Sequence, residues 1–150
     1  MSELKWSCKF FDELTPAELY NIIKLRNEVF VVEQNCVYLD ADNKDLDSYH
    51  LSGYSDDELV AYVRILAPGK AFPEASIGRV VTSPKYRNTG AGKELMQKAI
   101  PACLDQFNVA QIRIGAQLYL KKFYAELGFA QCSETYLEDG IPHIEMLLQQ

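Results

Sequence analysis

Apolar residues recur along the chain with two spacings, one typical of strands and the other typical of helices. Alternation is clearest over residues 58–66, where one set of alternate positions carries Leu59, Ala61, Val63 and Ile65. Aromatic and β-branched residues predict further strands over residues 5–11, 50–54, 76–82 and 111–116. Residues 131–137 and 141–148 predict a closing hairpin with its turn at residues 138–140.

Three segments carry the spacing of amphipathic helices. The first begins at the capping box formed by Thr15 and Glu18, and its apolar face carries Leu19, Ile22, Ile23, Val29 and Phe30. The second begins at Gly90, and Pro101 is expected to kink or break it near Ile100. The third ends at Gly128, a residue typical of helix C-terminal caps. Hairpins alternating with crossover helices predict an α+β fold with a mixed sheet covered by helices.

Length and composition predict one globular domain over residues 1–150, with 48% hydrophobic and 24% charged residues. The net charge of −6 argues against a basic surface, so neither nucleic acid nor a membrane is predicted as a partner. The same acidity suits a cationic acceptor such as an amine, although it also simply aids solubility.

The four cysteines are widely spaced and predict free, buried thiols rather than disulfides or metal ligands. No metal site is therefore expected. The sequence shows neither a signal peptide nor the roughly 20-residue apolar run that would span a bilayer. These features predict a cytoplasmic protein.

The most informative segment runs from a predicted strand at residues 77–82 through a glycine-containing loop into the second helix. Gly90 and Gly92 let an anion approach the backbone N–H groups of the helix start, which carries a partial positive charge. The spacing fits neither a P-loop nor a dinucleotide fingerprint, since Lys93 is followed by Glu94 and a third glycine is missing. From spacing alone, an ordinary flexible turn before a helix remains an equal alternative.

Two motifs resemble those of the GNAT N-acetyltransferase superfamily. Residues 87–92 match its R/Q-x-x-G-x-G/A signature, and residues 117–129 resemble its N-x-x-A-x-x-F-Y-x-x-x-G-F segment, with Gln117 for the usual Asn and Leu120 for the usual Ala. Residues 26–34 and 136–144 are similar to segments of the ElaA-like branch. The resemblance extends over nearly the whole chain. It implies the acyl-CoA N-acyltransferase fold, a mixed central sheet of about seven strands flanked by about four helices.

The resemblance also implies a binding site for acetyl-CoA as cosubstrate. The signature loop is expected to hold the coenzyme pyrophosphate, and the preceding strand to pair with the pantetheine arm and polarise the thioester carbonyl. Gln117, Phe123 and Tyr124 of the second motif belong to the same site. The residues assigned to coenzyme binding are Val80, Val81, Thr82, Arg87, Asn88, Thr89, Gly90, Ala91, Gly92, Lys93, Gln117, Phe123 and Tyr124.

Tyr124 matches the family's usual general acid, which protonates the leaving thiolate. Its alternative role is that of a core tyrosine, because it lies on the apolar stripe of its helix. His50, His143 and Glu33 are candidates for the general base, with a structural hydrogen bond as the alternative for each. Asp47 is a possible orienting partner for His50, and Glu145 shares a strand face with His143. Solvent suffices as the base if the amine arrives neutral.

Arg26 lies on the apolar stripe of the first helix, so its charge is expected to face the sheet. It either forms a structural ion pair or recognises a carboxylate of the acceptor with its bidentate fork.

The predicted activity is transfer of the acetyl group of acetyl-CoA to a primary amine of a small molecule or peptide. A non-catalytic acyl-CoA sensor is the first alternative, because Gln117 and Leu120 depart from the motif. Use of a different acyl donor is the second, because Arg26, Val29 and Phe30 are reminiscent of autoinducer synthases, which share this architecture. A homodimer is a possibility that the resemblance suggests.

Overall fold

The computed structural model describes residues 3–150. Its strands are β1 (Lys5–Phe10), β2 (Tyr49–Ser55), β3 (Glu58–Leu66), β4 (Ser76–Thr82), β5 (Gln111–Gln117), β6 (Ala130–Gln131), β7 (Tyr136–Glu138) and β8 (Ile141–Gln149). Its α-helices are α1 (Pro16–Arg26), α2 (Ala91–Phe107) and α3 (Lys121–Glu126). A π-helix (Asn27–Glu33) continues α1, and single 3₁₀ turns lie at Phe11–Glu13, Lys44–Asp47, Pro84–Tyr86 and Leu118–Leu120.

The strands form two four-stranded antiparallel sheets that meet at one short junction. The first has the order β1-β2-β3-β4, and in the second β8 pairs with β5 on one side and with β6 and β7 on the other. A parallel bridge between Ala75 and Ile112 joins the sheets. The mixed α+β fold class is confirmed, with eight strands and three α-helices in residues 3–150 instead of about seven and about four.

Helices cover both faces of the first sheet, which explains why β3 is buried along almost its whole length. Ala61, Val63 and Ile65 belong to the large core beneath α2, whereas Tyr62 packs with the apolar face of α1. The alternation along β3 therefore separates two apolar layers rather than a core face from a solvent face. No helix in residues 3–150 has the length and apolarity needed to cross a membrane.

The first helix begins at the predicted capping box. The Glu18 N–H donates to the Thr15 hydroxyl oxygen at 3.1 Å, and the Glu18 carboxylate accepts from the Thr15 N–H at 2.8 Å. The buried stripe of α1 is rotated relative to the predicted one, because Leu25 is buried and Ile23 is 40% exposed.

The predicted break of the second helix near Ile100 is wrong, whereas the alternative, a kink at Pro101, stays a prediction. Helix α2 continues to Phe107, and both Pro101 and Gln97, whose carbonyl loses its i+4 donor, are exposed. The ring and the orphaned carbonyl therefore lie on the side where water can satisfy the backbone.

The closing hairpin is less regular than predicted, because its first strand is split into β6 and β7. Between them, the hydroxyl oxygen of Ser133 accepts from the Glu145 N–H at 2.8 Å and replaces a backbone partner. The free thiols are also less buried than predicted. Cys103 is buried, Cys36 is half-buried, and Cys8 and Cys132 are exposed.

Replacing the helix-interior proline should stabilise the protein. We expect Pro101→Ala to raise the free energy of unfolding by about 2 kcal/mol, since about 3 kcal/mol of helix penalty is relieved and about 1 kcal/mol of unfolded-state restriction is lost. Urea unfolding followed by circular dichroism measures the change. Lys98→Ala, also exposed on α2, is the control and should change stability by less than about 0.5 kcal/mol. A destabilised Pro101→Ala variant would contradict this account of the proline.

Candidate active site

Over the described residues, strands β4 and β5 do not pair with each other beyond one bridge, and we call the gap between their carboxyl ends the cleft. Within residues 3–150 their ladder contact is the Ala75–Ile112 bridge, where the Arg113 N–H donates to the Ala75 carbonyl at 2.9 Å. Further along, β4 pairs with β3 and β5 pairs with β8, each on the side away from the cleft. In the described part of the chain, the facing edges at residues 80–82 and 114–117 therefore have no strand partner, and their backbone groups are free to bind an extended ligand.

A β-bulge at Arg79 bends β4, four residues beyond the Ala75–Ile112 bridge to β5. The register between β3 and β4 shifts by one between Tyr62 and Arg64, so Arg79 and Val80 together oppose Val63. Arg79 has a φ of 52°, a left-handed conformation that costs a non-glycine residue about 1–2 kcal/mol. A bulge increases the local twist of its strand, which favours further separation of β4 from β5 beyond the bridge.

The start of α2 presents backbone N–H groups at the end of the cleft. Gly90 precedes the helix with a φ of 86°. The first helical bond runs from the Glu94 N–H to the Gly90 carbonyl at 3.0 Å, so the N–H groups of residues 91–93 have no partner within the helix. Unpaired donors and the helix dipole together favour an anion here.

Three of the predicted coenzyme-binding residues meet at this helix start. A Cβ built on Gly92 would lie 3.8 Å from Cγ2 of Thr82 and 3.9 Å from Cζ of Phe123. The end of β4, the start of α2 and helix α3 thus converge at the helix start. Val81 faces the other way and is buried against α1, so its backbone but not its side chain borders the cleft.

The exposed signature loop connects to the end of the π-helix through an ion pair. Arg87 donates from Nη1 to Oε2 of Glu33 at 2.6 Å and from Nη2 to Oε1. This hydrogen bonding lowers the pKa of Glu33 and raises that of Arg87. While Arg87 holds it, Glu33 is a weak proton acceptor, so the geometry disfavours it as the general base. Asn88, Thr89 and Lys93 are exposed around the same loop.

Tyr124 lies on α3 with 5% of its surface exposed. Its ring makes edge contacts with Phe123 and Phe129, at centroid distances of 5.1 and 6.0 Å. Burial, and then the neighbouring Tyr119, raise the pKa of Tyr124 above its ordinary value, which keeps the phenol protonated at neutral pH. The residue is thus a core tyrosine as well as a potential proton donor.

His50 is buried and both of its ring nitrogens are engaged. Nε2 lies 2.9 Å from the carbonyl oxygen of Asp45, so it carries the proton, and Nδ1 accepts from the Tyr62 hydroxyl at 2.6 Å. Burial is the largest influence on its pKa and lowers it. His50 therefore has a structural role in this arrangement, with Asp45 and not Asp47 as its partner.

His143 lies on β8 directly opposite Gln117, at the cleft end of β5. Its Nδ1 donates to the Ile141 carbonyl at 2.7 Å, so Nε2 carries the lone pair in the neutral ring. Nε2 lies 3.5 Å from the Glu138 carboxylate, and the ring stacks on Tyr136 at a centroid distance of 5.9 Å. The nearby carboxylate is thus Glu138 rather than the predicted Glu145, which pairs with Arg113.

Arg26 is 1% exposed and points into the sheet as predicted. Its Nε donates to the Asp40 carboxylate at 2.7 Å, Nη2 to the Asp40 carbonyl at 3.1 Å, and Nη1 to the Asp45 carboxylate at 2.8 Å. These contacts form a structural ion pair, which is one of the two roles that the sequence predicts for Arg26. Recognition of an acceptor carboxylate by Arg26 has no exposed donor to support it.

Two further arginines complete what we call the Arg–Asp cluster. Nη1 of Arg64 contacts Asp42 at 2.7 Å and Asp45 at 2.9 Å, and Nε of Arg79 lies 2.9 Å from Asp40. Burial opposes ionisation of Asp42, but hydrogen bonds and charge from Arg64, with charge from Arg79, lower its pKa to about 2. The members of the cluster are Arg26, Arg64, Arg79, Asp40, Asp42 and Asp45.

Gln117 connects the end of β5 to the segment that follows the π-helix. Its Nε2 donates to the Gln34 side-chain oxygen at 3.4 Å. The Gln that replaces the usual Asn of the motif is thus long enough to bridge to this segment.

The sequence reasoning missed Arg79, Arg64 and the aspartates as parts of one cluster. A signal was present, because Arg64 and Arg79 interrupt apolar strands and the acidic segment lies between them and Arg26 in the sequence. Charges in buried strands require opposite charges nearby. That signal does not identify which carboxylate pairs with which arginine.

Comparison with known proteins agrees with this geometry. Residues 14–150 match the family model "Acetyltransferase (GNAT) domain". Protein ElaA of Escherichia coli K12 is 42% identical over 145 residues, 95% of either chain, and the crystal structure of E. coli ElaA superposes with a TM-score of 0.92 at 40% identity, covering 98% of this chain and 100% of that one.

Two other solved structures are similar. An acyl-CoA N-acyltransferase from Pseudomonas aeruginosa is 42% identical, with a TM-score of 0.92, over 97% of this chain and 99% of that one. The AHL synthase LasI superposes with a TM-score of 0.77 over 99% of this chain and 91% of that one, but at 16% identity this likeness shows the fold alone. The cleft, the signature loop and these relatives together identify the chain as a member of the GNAT acetyltransferase family, within its ElaA-like branch.

Proposed function

We propose that this chain is an N-acetyltransferase that moves the acetyl group of acetyl-CoA to a primary amine of an unidentified small-molecule or peptide acceptor. One observation carries the proposal. The cleft between β4 and β5 has unpaired strand edges and ends at a helix start whose N–H groups are free within the helix. An acyl-CoA has matching chemistry, namely an amide-containing arm and a pyrophosphate.

The proposed donor position follows from these two features. The pyrophosphate accepts from the N–H groups around residues 87–93, while the pantetheine amides pair with the free edge of β4 at residues 80–82. A backbone N–H of β4 then donates to the thioester carbonyl as negative charge develops on its oxygen. One such donor is worth roughly 2.7–4 kcal/mol in comparable oxyanion sites.

The proposed reaction is a direct transfer. The lone pair of the neutral amine attacks the thioester carbonyl carbon and forms the C–N bond. The tetrahedral intermediate then collapses, the C–S bond breaks, and the sulfur leaves with the electron pair as a thiolate. Tyr124 donates its phenolic proton to the thiolate, and the nitrogen loses its extra proton to the base, which gives an amide and free coenzyme A.

Among the candidate bases, His143 is supported best. Both nitrogens of His50 are used by Tyr62 and Asp45, and Glu33 is held by Arg87. The Nε2 lone pair of neutral His143 is not committed as an acceptor, and its strand position adjoins the cleft end of β5. We therefore assign proton removal from the amine nitrogen to His143, directly or through water.

The activity assay tests the whole proposal. Incubation with acetyl-CoA and a panel of amines should release free thiol and acetylated product. Coenzyme binding without product from any acceptor would favour the non-catalytic sensor. Competition between acetyl-CoA and long-chain acyl-CoAs tests the donor, and preference for a long chain would overturn the acetyl assignment while retaining acyl transfer.

Removing the Tyr124 hydroxyl should slow the transfer without weakening coenzyme binding. For Tyr124→Phe we expect kcat to fall by about 10²-fold or more, the range of one positioned general acid, because the thiolate leaves unprotonated. Tyr119→Phe, on an exposed neighbouring tyrosine, is the control and should retain wild-type kcat. Thiol release gives kcat, and calorimetry gives the Kd for coenzyme A. Wild-type turnover by the Tyr124→Phe variant would contradict the proposal that Tyr124 is the general acid.

Substitution of Gly90 should impair coenzyme binding specifically. Gly90 and Gly69 have φ values of 86° and 87°, and neither has an atom within 4 Å of a built Cβ. Alanine should therefore strain both sites equally, by about 1–2 kcal/mol of stability. We expect Gly90→Ala, but not Gly69→Ala, to weaken coenzyme A binding about tenfold, because only Gly90 shapes the anion-binding helix start. Equal Kd values for the two variants would contradict the assigned phosphate site.

Replacement of His143 by asparagine separates its structural bond from its proposed basicity. The side-chain amide of the introduced asparagine can still donate to the Ile141 carbonyl, as Nδ1 of His143 does, but it has no basic nitrogen. We expect His143→Asn to keep its melting temperature within a few degrees and to lose about 10²-fold in kcat. An unchanged kcat would indicate that solvent, and not His143, removes the proton from the amine nitrogen.

A further inference from the structure

Arg79 belongs both to the strand that lines the cleft and to the Arg–Asp cluster. Its Nε lies 2.9 Å from the Asp40 carboxylate, and its Nη2 donates to the Asp40 carbonyl at 3.0 Å and approaches Asp42 at 3.4 Å. Its guanidinium carbon lies 5.8 Å from the centre of the Tyr38 ring. These contacts span 37 to 41 residues of sequence and connect β4 to the acidic segment.

Asp40 is itself held firmly, so it can act as a fixed anchor for Arg79. It is 7% exposed and also accepts from Arg26 at 2.7 Å and from the Tyr38 hydroxyl at 2.5 Å. The Asp40 carboxylate thus contacts Arg26, Tyr38 and Arg79. Removing one partner from a buried carboxylate is costly in free energy, because the charge is then left without compensation.

The bulge has two separate physical supports. Apolar packing fixes the register, because Val80 packs against the core beneath α2 whereas the adjacent Val81 is buried against α1. Packing does not favour a left-handed arginine, which at a φ of 52° is a strained residue without the freedom of glycine. The ion pairs of Arg79 supply an interaction that offsets this strain.

We propose that Arg79 is a positioning residue whose ion pairs with Asp40 and Asp42 lock the β4 bulge and thereby aim the backbone of residues 80–82 at the acyl donor. The inference rests on the proposed function, since it assigns this strand edge to the pantetheine arm. Arg79 acts through the backbone that follows it and does not itself touch the reacting atoms.

Alanine and glycine at this position separate the backbone role from a side-chain role. Arg79→Ala removes the ion pairs, but alanine still pays the conformational free energy of a positive φ. Arg79→Gly removes the same ion pairs, and glycine adopts a positive φ without that free-energy cost. Arg113→Ala is the matched control. Arg113 pairs with Glu74 at 2.8 Å and Glu145 at 3.2 Å, its side chain is 22% exposed against 23% for Arg79, and its φ is not positive.

Two measurements apply to all variants. Amide hydrogen exchange at residues 80–82 reports the bulge without any ligand, and calorimetry with acetyl-CoA reports the donor site. For Arg79→Ala we expect amide exchange to accelerate and acetyl-CoA affinity to fall by about 5- to 30-fold. This range corresponds to a loss of binding free energy equal to the cost of holding a non-glycine residue in the left-handed conformation. Arg79→Gly should recover most of both effects, and Arg113→Ala should change neither by more than about threefold.

The outcomes are distinct. Equal loss of affinity in the alanine and glycine variants would overturn the proposal, because the side chain itself would then contact the ligand. Wild-type exchange and affinity in Arg79→Ala would overturn it as well, since packing alone would then hold the bulge. If the wild-type protein binds no acyl-CoA, the proposed function fails, while the exchange comparison still decides whether Arg79 locks the bulge.

Discussion

The neutralisation of three arginines, two of them buried, by three aspartates is the constraint on which the site depends. A charge removed from water is tolerated only when an opposite charge and hydrogen bonds replace its hydration, and removing one partner of such a pair typically costs about 3–5 kcal/mol. Here the arginines come from α1, β3 and β4, while the aspartates come from the one segment that precedes β2. Satisfying the charges therefore fixes that segment against the sheet.

The cleft is the opposite case, because backbone groups are left unsatisfied where two strands separate. Within residues 3–150, one parallel bridge joins the two sheets, and beyond it β4 and β5 each have a strand partner on one side only. Such edges favour an extended ligand with amide groups. The helix start at the end of the cleft adds a preference for negative charge. Shape and charge thus suit an acyl-CoA before any side chain acts, and the roles that we propose for Tyr124 and His143 concern only the movement of protons.

Local signals in the sequence were sufficient for most of the architecture. The capping box of Thr15 and Glu18 and the alternation along β3 both involve neighbours within a few residues, and both appear in the structure. The motif at residues 87–92 likewise identified the loop that begins α2. The continuation of α2 through Pro101 was not predictable, since it depends on which side of the helix faces water.

The details of the site depended on contacts between distant parts of the chain. Hydrogen bonds commit His50 to Tyr62 and Asp45, and Glu33 to Arg87, and sequence spacing could not reveal either arrangement. The bulge at Arg79 was equally hidden, because a left-handed arginine in a strand has no local sequence signal. Contacts between distant residues therefore decide which titratable side chain keeps a nitrogen or oxygen atom that can still accept a proton.

In the part of the chain that the structure describes, the two sheets share one bridge, and this has a thermodynamic consequence. A molecule lying between β4 and β5 would supply the hydrogen bonds that a continuous sheet would have had, and would join the two halves along the length of the gap. Occupancy of the cleft is therefore coupled to cohesion of the whole domain, since a ligand that binds only the folded state raises its stability. Resistance to heat would then rise and fall with the supply of cosubstrate, and the folded lifetime of the protein would follow the acyl-donor level around it.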